Sequence, residues 1–100
     1  LEVLGIPKAR NHLDLHALFA ALSARGITRV MIEAGPELAN AIAVAGLCDE
    51  LVLLTGSNPV GQGLPAIGPA LAEWIEAADI TEERQIGADT MVRYASDRRI

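Results

Sequence analysis

The stretch TRVMIEAGPELANAI, residues 28–42, sets a carboxylate, a glycine and a proline side by side. Glu33 can accept hydrogen bonds from a ligand's donors. Gly35 has no Cβ, so a ligand can approach the backbone there. Pro36 suits the first turn of a helix, where its missing N–H costs nothing. A helix start presents unpaired amides and the positive end of a dipole, an arrangement that holds phosphates. In an open α/β sheet such a junction falls at the carboxyl end of a strand, where ligands bind. The same residues also make a plain tight turn, with Glu33 capping an amide. Glu37 repels a phosphate at this position. On the residues alone the tight turn is the favoured reading.

Other chemistry-bearing residues have simpler roles. Lys8 and Arg10 can meet a phosphate but read more naturally as a solvated loop. His12 and His16 lack a third ligand nearby, so no metal site is expected. Asp49 and Glu50 precede a strand and are expected to cap its turn; Asp89 is expected to organise a hairpin turn. Trp74 lies on an apolar stripe and reads as core. No Ser/His/Asp or Cys/His arrangement can be assembled.

The elements that must position the junction follow from pattern. Residues 1–6 read as a strand and 7–12 as a polar loop. Asp14 is a helix N-cap, with Leu15, Leu18, Phe19 and Leu22 on one helical face. Gly26 ends that helix. Residues 28–33 read as a strand buried on both faces. A second helix starts at Pro36, turns Leu38, Ile42 and Ala45 inward, and ends at Gly46. Residues 49–56 read as a buried strand, and 57–69 as a Gly/Pro loop. A short helix with Leu71, Trp74 and Ile75 inward follows. Residues 80–86 and 90–94 form a hairpin turned at 87–89, and 96–100 are a polar tail. The alternation predicts an α/β fold: a mixed, mostly parallel sheet with right-handed crossovers, flanking helices and a C-terminal antiparallel hairpin.

Composition bounds the rest. The chain has 100 residues, 51% apolar and 21% charged, which suits one modest globular domain. Aromatics are 3%, so the core must be aliphatic. The net charge is −5 and no basic stripe forms, which argues against nucleic acid as a partner. No apolar run reaches membrane-spanning length. Cys48 is the one cysteine, which excludes an internal disulfide and fits a reducing cytoplasm. The start at Leu1, inside a strand pattern, reads as a piece of a longer polypeptide. An exposed strand edge at such a boundary recruits another chain, so a homodimer is expected.

Several motifs in order, over about residues 13–95, resemble the reductase domain of the bifunctional riboflavin-biosynthesis deaminase–reductase family. They are LDLHALFAALSARGI at 13–27, Glu33-Ala34-Gly35-Pro36-Glu37-Leu38, Cys48-Asp49-Glu50-Leu51, Pro59 with Gly61-Gln62-Gly63, and Ile86-Gly87-Ala88-Asp89. The chain departs from that pattern at Ala34, Glu37 and Gln62. The resemblance implies a dihydrofolate-reductase-like fold. It implies reduction of the ribose of 5-amino-6-(5-phosphoribosylamino)uracil to the ribityl form, with hydride from NADPH. Glu33 matches a substrate-contacting acid. Gly35, Pro36, Glu37, Leu38, Ala39, Asn40 and Ala41 match the NADPH segment. Residues 1–100 are then the C-terminal part of the reductase domain. Its N-terminal half, with most substrate contacts, and the zinc deaminase domain are expected to lie outside the chain. The alternative is a non-catalytic α/β nucleotide-binding or dimerisation module.

Overall fold

The computed structural model describes residues 3–9, 12–56 and 67–96. They form two compact units, Leu1–Glu33 and Ala34–Ile100.

In the first unit, Asp14 caps helix α1 (Leu15–Ala24) as the sequence predicts: its Oδ1 accepts from the Ala17 amide at 3.1 Å. The helix ends in a Schellman motif. Gly26 takes φ +82°; its amide donates to Ser23 O at 2.9 Å, and that of Ile27 donates to Leu22 O at 3.2 Å. Ahead of α1 the expected strand over 1–6 is not formed by residues 3–7. The expected polar loop instead holds a small antiparallel pair, β1 (Lys8–Ala9) and β2 (His12–Leu13). The Asp14 amide closes it on Pro7 O at 2.9 Å.

The second unit opens with α2 (Pro36–Val44), which buries Ile42. It too ends in a Schellman motif: Gly46 takes φ +72°, its amide donates to Ala43 O, and that of Leu47 donates to Ile42 O, both at 3.1 Å. Strand β3 (Glu50–Thr55) and helix α3 (Pro69–Ala77) follow, then β4 (Asp79–Ile86) and β5 (Asp89–Ala95). Leu71 is the buried residue of α3, while Trp74 and Ile75 are half-buried.

The sheet corrects the expected topology. Its order is β3-β5-β4, and both of its ladders are antiparallel. Among the described residues no parallel pair occurs. The reason is that β5 returns from the hairpin and takes the centre, pairing with β3 from Glu50↔Ala95 to Thr55↔Thr90. Met91 and Ala95 of β5 are buried accordingly, whereas β3 at the edge is mostly exposed, with Leu51 and Leu53 half-buried, not buried as expected. Residues 28–33 carry no strand assignment, and Met31 is 84% exposed. Strand propensity describes a fit to a pleated, packed surface, and a ladder still needs a partner.

The hairpin is formed, but Asp89, expected in the turn, belongs to β5. Ile86 pairs with Asp89 across a two-residue turn, Gly87 and Ala88, and Gly87 takes φ +60°. Positive φ at the first turn position matches the twist of the flanking strands. A Cβ at Gly87 would touch nothing within 4 Å, so a side chain there costs backbone strain alone. Gly87→Ala is expected to lower stability by about 1–2 kcal/mol, read as a lower urea midpoint with an unchanged slope.

Candidate functional site

The start of α2 is built from the residues that the sequence marks. Gly35 is the N-cap, with φ −71° and ψ 176°, and no side chain caps the helix there. Gly35 O already accepts the Ala39 amide at 3.0 Å. Pro36 has no N–H. The amides of Glu37 and Leu38 are therefore the donors that a bound anion would meet first. A Cβ built on Gly35 meets no described atom within 4 Å. The backbone angles at Gly35 are ones that any residue can adopt. Among the described residues neither strain nor crowding demands glycine here.

Glu37 sits exposed in the first turn. Its carboxylate favours the helix through the dipole and opposes an anion at the same place. Leu38 is exposed, Ala39 and Ala41 are half-buried, and Glu33 is exposed at the end of the first unit. Pro59, Gly61, Gln62 and Gly63 lie outside the described residues, as does Arg10.

Asn40 has a use that the sequence does not reveal. Helix α3 also begins with Gly-Pro, and its N-cap, Gly68, has no side chain to offer. The Oδ1 of Asn40 supplies the acceptor instead, taking the amides of Ala70 at 2.9 Å and Leu71 at 3.2 Å. A missing cap at Gly68 is legible in the sequence; the identity of a cap about thirty residues away is not.

Asp49, Glu50, Glu82 and Asp89 lie in or beside the sheet. Asp49 O accepts the Ser96 amide at 2.9 Å, extending the β3–β5 ladder. Glu50 lies 3.8 Å from Arg93, and Glu82 meets Arg93 at 3.3 Å and Arg84 at 2.5 Å. These side chains are 31–63% exposed, so each pair contributes at most about 1 kcal/mol. The Asp89 carboxylate lies beside Gly56 at the end of β3. Among the described residues no three His, Cys, Asp or Glu side chains gather as a metal site would need. No described helix is long and apolar enough to cross a membrane.

The family model described as the RibD C-terminal domain matches residues 1–92. The chain is 35% identical over 94 residues to the riboflavin biosynthesis protein RibD of Escherichia coli (strain K12). That alignment covers 89% of the chain and 25% of the relative, so the chain spans about a quarter of the relative's length.

Glu37 allows a direct check on the electrostatics of the α2 start. Glu37→Gln is expected to cost about 0.3–1 kcal/mol at low ionic strength. The loss should shrink as salt screens the exposed charge, and urea unfolding at two salt concentrations measures it.

Proposed function

The chain belongs to the RibD C-terminal domain family, and on that premise we propose that it works as part of a riboflavin-biosynthesis reductase. The reaction is reduction of the ribose of 5-amino-6-(5-phosphoribosylamino)uracil to the ribityl chain, within a dihydrofolate-reductase-like domain. The observation that supports this reading most is the uncapped start of α2 at Pro36, directly after Glu33-Ala34-Gly35.

In this reading residues 35–41 hold NADPH. The amides of Glu37 and Leu38 donate to a cofactor phosphate, and Gly35 leaves room for it. NADPH, when bound, supplies the hydride. The protein's part is orientation, so no nucleophilic side chain is required. Glu33 accepts hydrogen bonds from donors of the pyrimidine or sugar and fixes the substrate. The donor set fits an anion at the backbone, while the charge of Glu37 weakens it; Glu37 therefore tunes affinity downward. The chain by itself is expected to be inactive, because most of the substrate contacts are expected elsewhere in the reductase domain. A homodimer in a reducing cytoplasm belongs to the same proposal. It is supported by β3, which pairs with β5 alone among the described residues and exposes Val52 and Leu54.

Gly35→Ser tests the reading with opposite signs on two measurements. Serine is a good N-cap, and the site has room for its Cβ, so stability should hold or rise by a few tenths of a kcal/mol. Its hydroxyl would take an amide that the phosphate needs. In the complete protein NADPH affinity should then fall roughly tenfold. Unchanged affinity in a titration would remove the phosphate from this helix start.

A further inference from the structure

We propose that Asn40 is a positioning residue for the cofactor helix: by capping α3 from α2, it holds the first turn of α2 in its binding orientation. This inference rests on the assignment of α2 to NADPH and gives one residue of that segment a role that does not require touching the cofactor.

The contact is two-sided. Gly68 cannot cap α3, and Pro69 carries no amide, so Ala70 and Leu71 hold the first free donors of that helix. Both converge on one oxygen, Oδ1 of Asn40. Two donors on one atom fix which end of the side-chain amide faces α3. A Cβ built on Gly68 would lie 2.6 Å from Asn40 Oδ1 and 2.8 Å from its Cγ. Gly68 has φ −81° and ψ 176°, so its backbone does not require glycine. Asn40 requires it, because the side chain of Asn40 occupies the space that a side chain at 68 would fill. The two positions form one clamp between the helices. The buried residues of α2 and α3, Ile42 and Leu71, lie close to it in sequence, and Leu71 contributes one of the capped amides.

The clamp acts near the proposed phosphate site. Asn40 follows Pro36 by about one helical turn, which sets both on one face of α2. The first turn of α2 has no side-chain cap of its own, so its orientation depends on what holds the helix just beyond it. Without Asn40 the amides of Glu37 and Leu38 would have to be ordered by the cofactor itself, and binding would weaken by that cost. The reacting end of a bound cofactor would be unaffected. The signature is a raised KM for NADPH with an unchanged kcat.

Steady-state kinetics of the complete protein, with NADPH varied, test the role. N40A is expected to raise the KM for NADPH roughly fivefold and leave kcat within about twofold. N40D keeps the acceptor and the shape but adds a negative charge, so its KM should lie between those of wild type and N40A once salt screens that charge. G68A forces a Cβ against Asn40 and should reproduce N40A, with the double variant no worse than either alone. G87A is the stability control: it weakens the hairpin and should leave the KM unmoved. The role is overturned if N40A leaves the KM unchanged, or if G87A raises it equally. A defect in N40D as large as that in N40A at screening salt would also overturn it, since loss of the acceptor would then not be what matters. Wild-type protein that neither binds nor oxidises NADPH would refute the functional reading itself, and the role would fall with it.

Discussion

The backbone amides at a helix start must find acceptors, and two helices of this chain begin with Gly-Pro, a pair that offers none from its own side chains. Much of the second unit follows from how that deficit is met. At α3 the acceptor comes from Asn40, about thirty residues earlier, and the two helices are thereby joined by a polar contact beside their buried residues. At α2 no side chain answers, and a Cβ at Gly35 would meet no described atom within 4 Å. One Gly-Pro start is thus capped from within the fold, and the other carries no side-chain cap. The two glycines differ in the same sense. Gly68 is required because a neighbouring side chain fills its place. Gly35 is crowded by none of the described residues, and its angles are ordinary.

The sheet is organised around its middle strand, β5, which pairs with both of the others. Met91 and Ala95 of β5 are buried, with Ile42 and Leu71 the corresponding residues of α2 and α3. Fully buried large side chains are absent among the described residues. The cross-strand charges around Arg93 are too exposed to contribute much, so they align register more than they add stability. Local devices carry a larger share: the Asp14 cap, two Schellman ends and the mirror-image turn at Gly87. Each is a local solution that depends on a few neighbouring residues.

That locality explains what was legible in the sequence. Asp14, Gly26, Pro36, Gly46 and the hairpin around Gly87 act within a handful of positions, and each is found where its residue type predicts. The family was equally legible, because the motifs at 33–38, 48–51 and 86–89 recur in a fixed order. The site was legible as a candidate, because Gly-Pro after a β-rich run specifies a helix start whatever surrounds it. Partnership was not legible. Residues 28–33 have the composition of a buried strand, yet composition cannot supply the neighbour that a ladder needs. The antiparallel order β3-β5-β4 arises because β5 closes on β3, a choice between strands that their side-chain patterns leave open. The use of Asn40 belongs to the same class, since nothing in a helical asparagine shows which distant amides it will meet. Capping, turn chemistry and family were determined by the sequence alone, through interactions between near neighbours; strand pairing and the joining of α2 to α3 were decided only by the tertiary structure, because hydrogen bonds between distant segments depend on which groups the fold brings within about 3 Å of one another.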